Sequence, residues 1–517
     1  MLIFVENYFH LKHLLFLIIL AINFSFVSAQ QKKIKILNSE QTYKNQKKYP
    51  GAIILNGNVR VSHEGATLDC NKALFYQEKN VLHAYGDVFV NQGDTITQKS
   101  NYANYNGNTQ KVISWGDVVL KDPSMRLETD TLHFDRVTQE MTYDCYATIT
   151  DDNNQLESKN GVYATDLKRF TATTNVVVHN PENKLESNHL DYYTETGQTY
   201  FYGASTITTD ESVAVAKQGF YDTKIGISRL TKDAKIYYNN RIIEGDSIYS
   251  DKEKGFASST GNIIMTDTVN QTIVKGGYAE FFKNNDSVFV VKKAMAISIA
   301  EADSLFIHGD TLLITGKPEE RIIRAYHKVK FFKSDLRGKC DSLHTNQKLG
   351  ITKMFKYPVI WSGENQITGD SIHLTSNLET SKLDSLFIKR NAFIIQKDSA
   401  GFSQIKGKNM YGKFVDNQLE TLLTKGNGEV INYARDEEKK LIAILNMICS
   451  NILFSLEDNG IQSIKFLMKP EGKTYPPSKY PADKRFLKGF IWRESEKPLE
   501  RDDIFIDEPV IKTNLFL

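Results

Sequence analysis

The chain has 517 residues, and 64 Lys and Arg against 62 Asp and Glu leave a formal charge of +2, so it lacks a basic footprint and no nucleic-acid partner is expected. Hydrophobic residues make up 41% and charged residues 24%, while 29 Phe and 25 Tyr alongside Val, Ile and Thr weight the chain toward strands. Cys70, Cys145, Cys340 and Cys449 show neither C-x-x-C nor any metal-type spacing. They read as small buried apolar residues too far apart to bridge, and no metal or cofactor is expected.

Residues 1–29 carry Lys12 and His13, an apolar run from Leu14 to Ile22, and small residues at Val27-Ser28-Ala29. That is the layout of a cleaved secretory signal, too short for a comfortable membrane span. No Cys follows the small-residue site, so lipid modification there is not expected and the mature chain should be exported and soluble. Residues 30–50 are polar and lysine-rich with one strand-like run, Ile34-Lys35-Ile36-Leu37, and read as an N-terminal cap or edge segment.

From 51 to 435 one stretch keeps returning: Gly57-Asn58-Val59-Arg60-Val61, Gly86-Asp87-Val88-Phe89-Val90, Gly116-Asp117-Val118-Val119-Leu120, Gly203-Ala204-Ser205-Thr206-Ile207 and Gly261-Asn262-Ile263-Ile264-Met265. The intervals are 29, 30, 87 and 58 residues, which is one unit of about 29 repeated with members skipped, and such a period marks a repeat architecture. Between the glycines, runs alternate apolar with polar and turn residues recur at strand spacing. The glycine is read as the turn that starts each unit. A second marker, Asp-Ser/Thr-Leu/Ile, recurs at Asp130, Asp246, Asp310, Asp341 and Asp370. It lacks the Gly-rich nonapeptide of calcium β-rolls, and its aspartates are read as turn-backbone acceptors at the start of strands.

Residues 436–468 read as a diverged terminal repeat, in which the apolar run Leu441–Phe454 suits a strand or a helix. Six of the eleven prolines fall between Pro470 and Pro509. Each removes a backbone donor, so 469–517 should be a cap on the end of the array or an extended docking segment.

Side chains two and four residues after the marker glycine share a face. Those positions are Val59, Val61, Val88, Val90, Val118, Leu120, Val176, Val178, Ile207, Ile263 and Met265, and together they predict a continuous apolar inner wall. A trough lined this way suits acyl chains, worth about 0.8 kcal/mol per buried methylene; a dry, filled β-solenoid core fits the same pattern, and alternation alone leaves both open. No H-E-x-x-H, G-x-S-x-G, P-loop or dinucleotide fingerprint occurs, so a binding or structural role is expected rather than an enzyme.

The Gly-Asn/Asp-Val starts, Gly93-Asp94-Thr95-Ile96, the run Leu156 to Tyr163, Pro358-Val359-Ile360-Trp361, Gln366 to Asp370 and the tail Leu487-Lys488-Gly489-Phe490-Ile491-Trp492-Arg493 resemble the OstA-like, LptA-type periplasmic proteins of lipopolysaccharide transport, in their long Bacteroidota-type form. The resemblance implies an all-β fold, an elongated open β-jellyroll of roughly 29-residue repeats, with lipid A acyl chains along that inner face. It implies lipopolysaccharide as ligand, end-to-end strand pairing with other β-jellyroll transport proteins including an outer-membrane translocon, a periplasmic location with outer-membrane association, and no catalytic residues. The rival readings are an exported β-solenoid scaffold or adhesin with a filled core, and an outer-membrane β-barrel. The barrel would need longer apolar bands than these strands carry.

Overall fold

The computed structural model describes residues 33–507 apart from 94–95, 300–302, 318–319, 381, 417 and 458–459. The expected signal segment and the Asp94-Thr95 step lie outside the described residues. The described residues form two compact units: those up to 180 with 188–197, and 181–187 with those from 198 onward. Among the described residues there is no α-helix; antiparallel strands of mostly 10–18 residues and their half-length fragments make up both units.

In the first unit the chain runs hairpin after hairpin through Ile53–His63, Ala66–Tyr76, Val81–Gln92, Ile96–Asn106, Lys111–Asp122 and Met125–Asp135. Each marker glycine sits in the middle of a strand and not at its start. Gly57 and Asn58 have φ of 77° and 43°, Gly86 and Asp87 74° and 49°, Gly116 and Asp117 78° and 52°. Two left-handed residues on one strand face a single residue on the next, so that Asn56 pairs with Lys72 and Val59 with Cys70, leaving Asn71 between them. This two-against-one bulge creases the strand, and its halves become parts of two facing walls. The crease persists where the glycine is gone, at Thr174-Asn175 in the first unit and at Lys232-Asp233, His327-Lys328, Lys356-Tyr357 and Arg390-Asn391 in the second, all with positive φ. Asn and Asp tolerate that region better than other side chains, and the loss of glycine explains why the marker spacing skips units.

Of the recurrent aspartates, Asp310 and Asp370 stand immediately before the strands Thr311–Thr315 and Ser371–Ser376, as expected, while Asp130, Asp246 and Asp341 lie within strands opposite these bulges, a correction to their placement at strand starts. The Asn262 amide donates to Asp246 at 3.0 Å, Asn391 to Asp370 at 2.9 Å, and Lys356 pairs with Asp341 at 3.0 Å. In the first unit the Asn71 and Asn101 amides make the equivalent bond to Asp87 and Asp117 at 2.8 and 3.1 Å. On the inner side of the crease the walls converge and only small residues fit. Cys70 faces Val59, Ser100 faces Val88, Thr129 faces Val118, Ala216 faces Ser205, Gly245 faces Ala234 and Gly276 faces Ile263. A Cβ on Gly276 would lie 2.5 Å from Val290 Cγ1. Cys70 and Cys340 occupy this position as buried thiols, which burial pushes up to about 11 and about 12. Cys145 differs from expectation in being only half-buried.

Lys35–Asn38 and Gln41–Tyr43 pair with the two halves of Ile53–His63. In the second unit Leu441–Glu457 is a strand, paired to Gln418–Arg435 along most of its length. The proline-rich tail returns lengthwise along the outside of one wall, held successively by residues of Leu441–Glu457, Gly401–Val415, Asn365–Thr368, Arg337–Asn346, Ile322–Phe332 and Leu305–His308. This wall is therefore buried on both faces, which its unbroken apolar runs (Val359-Ile360-Trp361 and Ala392-Phe393-Ile394-Ile395) record in the sequence.

Candidate functional site

The inner face is where alternation places it. Val59, Val61, Val88, Val118, Leu120, Val176, Val178, Ile207, Ile263 and Met265 are all buried, and Val90 is half-buried. Burial alone does not distinguish a filled core from a lined trough; the spacing of the walls does.

In the first unit the free ends of the two walls are tied together by buried polar groups. His63 Nδ1 meets Tyr105 Oη at 2.5 Å, and Arg136 donates to the same hydroxyl at 3.0 Å and to the His63 carbonyl at 3.3 Å. The fully buried Asp122 carboxylate takes Lys168 Nζ at 2.8 Å and the Tyr163 hydroxyl. Burial raises its carboxyl, but Lys168, Tyr163 and Ser124 outweigh that and hold it below the ordinary range. Tyr192 donates to Asp151 in the same manner. Behind these ties the space between Val61, Leu68, Val90 and Val112 is about 30 Å³, room for no more than a couple of waters.

The second unit opens. A cavity of about 610 Å³ lies between its walls, lined inside by Ile207, Tyr221, Ile236, Ile243, Phe256, Phe281 and Val288. That is within the usual range of about 300–1,000 Å³ for ligand sites. Met265 stands opposite Ile243 in register, just beyond the lining. At the rim Arg241 pairs with Asp286 at 2.5 Å, and the nearly buried Arg321 reaches Asp267 at 3.3 Å and Asp286 at 3.5 Å. Burial and the neighbouring Arg241 lower the Arg321 pKa, while the two carboxylates oppose them. Beside the cavity stand two exposed ion pairs, Lys252 with Glu182 at 2.6 Å and Lys283 with Glu211 at 2.5 Å, of which Lys252, Lys283 and Glu211 line it. Farther along, the interior narrows to about 50 Å³ among Ile360, Ile367, Leu386, Ile405 and Leu422. Among the described residues no group of three or more His, Cys, Asp or Glu is placed to hold a metal.

Sequence reasoning found the inner row but not the cavity. Of the predicted residues only Ile207 lines it. Tyr221, Phe256 and Phe281 carry no marker glycine, and nothing local distinguishes them from the tyrosines and phenylalanines of filled stretches.

Creased antiparallel strands, two facing walls and an apolar interior define an open β-jellyroll. Within that class, residues 31–188 match the family model described as OstA-like protein. A solved structure with 16% identity, covering 20% of this chain and 75% of its own with a TM-score of 0.19, is that of LptH from Pseudomonas aeruginosa, described as the LptA-homologous periplasmic component of the conserved lipopolysaccharide transport device. No curated protein matches the chain.

Proposed function

We propose that this chain is a periplasmic carrier in lipopolysaccharide transport, and that the acyl chains lie in the cavity of the second unit. The cavity carries the proposal: about 610 Å³ bounded by Ile207, Ile236, Ile243, Phe256 and Phe281, against about 50 Å³ farther along the same unit. Ten buried methylenes would contribute roughly 8 kcal/mol. The OstA-like match and the described role of LptH support the choice of ligand class. In this reading residues 1–29 direct export, and the chain binds without catalysing.

Strand edges support the expected partners. Lys35–Asn38 and Gln41–Tyr43 are exposed along their whole length in the first unit, and Glu471–Tyr475 nearly so in the second. Such edges pair with strands of other chains, and partner jellyrolls, an outer-membrane translocon among them, would add there.

A photoreactive residue at Ile243 or Ile207 should crosslink lipopolysaccharide, while one at the exposed Lys99 should not. Ile243→Asp should abolish the Ile207 adduct without unfolding the chain. Equal labelling at Lys99, or none at either inner position, refutes the carrier reading. The rival reading, a filled-core exported scaffold, is favoured for the first unit alone, by the cavity of about 30 Å³ behind its buried ties.

A further inference from the structure

The two kinds of closure differ in what they cost to open. In the first unit the walls are tied by Asp122, Tyr163 and Tyr192, whose groups are withdrawn from water. Beside the cavity of the second unit the ties are Glu182–Lys252 and Glu211–Lys283, with every side chain at least half exposed. Exposed pairs contribute about 0–1 kcal/mol each and are screened by salt. Lys252, Lys283 and Glu211 also line the cavity, so the same ammonium groups sit where the apolar interior meets solvent. An amphiphile whose chains lie against Ile243 and Phe256 would leave its headgroup at this rim.

We infer that the two ion pairs are the lateral gate of the cavity, and that an anionic headgroup takes the place of Glu182 and Glu211 on Lys252 and Lys283 as the chains enter. Phosphate suits the exchange, because it offers a lysine pair more acceptor oxygens and more charge than a carboxylate. The inference rests on the reading of the cavity as a site for lipid chains, and adds which headgroup it selects and how it opens.

The test uses the full chain and two probes with the same fluorescent acyl chain, phosphatidic acid and diacylglycerol, each presented in phosphatidylcholine vesicles. The unsubstituted chain should take up phosphatidic acid about tenfold better, within what two exposed pairs can supply. Lys252→Gln with Lys283→Gln should erase that preference. Glu182→Gln with Glu211→Gln should speed uptake of both probes and keep it, and added salt should speed uptake in the unsubstituted chain but not in the glutamate variant. A preference that survives loss of both lysines, or a glutamate variant that loads no faster, overturns the gate while leaving the cavity standing. Uptake of neither probe in any variant, with no crosslink at Ile243, defeats the cavity reading and the gate with it. All four positions are exposed, so these variants should fold.

Discussion

Gln366 and Arg493 are joined as if across a β-bridge: the Gln366 side-chain amide donates to the carbonyl of Ile491 at 2.7 Å and accepts the Arg493 N–H at 2.6 Å. Gln404 repeats the arrangement, donating to the Arg485 carbonyl and accepting from the Leu487 N–H, both at 2.8 Å. Both glutamines are fully buried on the outer face of the wall. Their amides do for the tail what a neighbouring strand would do, since prolines keep it out of a continuous ladder.

Gln366→Leu should therefore loosen the tail out of proportion to its small change in volume. It removes the bonds to the Ile491 carbonyl and the Arg493 N–H, worth about 1 kcal/mol each. Proteolysis should move into 486–497 while the rest of the second unit stays protected. Cleavage elsewhere first would show that the glutamine holds the wall and not the tail.

The tail is also held by charge. Glu496 receives Arg493 at 2.7 Å and Lys339 at 2.5 Å; burial raises its carboxyl, but these partners outweigh it and bring it down to about 2. Because the folded value lies below the ordinary 4.5, the stabilisation is present above pH 4.5 and drains away as pH falls from there toward 2. Amide exchange in 490–497 should accelerate across that window, and Lys339→Met should shrink the effect and raise the window's lower end. A flat profile between pH 5 and 2 contradicts the assignment.

In the first unit, Asp122→Ala removes the acceptor shared by Lys168 and Tyr163. Lys168 is partly exposed and can turn to water, whereas the Tyr163 hydroxyl is left buried, so a loss of roughly 2–4 kcal/mol is expected in denaturant unfolding. Tyr163→Phe should cost less, about 1 kcal/mol.

The crease predicts opposite signs in the two units. Gly86→Ala places a Cβ 2.9 Å from the Asn71 side chain at φ 74° and should destabilise by about 1–2 kcal/mol. Lys232→Gly, at a bulge where a lysine holds φ 58°, should stabilise by up to about 1 kcal/mol. Unfolding midpoints of the two variants decide; equal signs would mean that the left-handed pair is not what shapes the strand.

By itself the sequence determined the local pattern of this protein. Val59, Val61, Val118 and Leu120 share the inner face because alternation is a property of one strand and needs no neighbour. Left-handed Gly-Asn and Gly-Asp pairs announce themselves because few other residues occupy that region. The same markers were misplaced, as turns at strand starts, because a bulge and a turn ask for the same residues. What only the tertiary structure decided is where the interior stands open and what covers the outside. The rim of the cavity depends on which residues meet beside it: Glu182 meets Lys252 and Glu211 meets Lys283, 70 and 72 residues on, a separation no periodicity encodes. The tail is likewise placed by Gln366 and Gln404, more than 80 residues from the backbone they hold. A glutamine in a strand reads as a surface residue until the segment that buries it is in place.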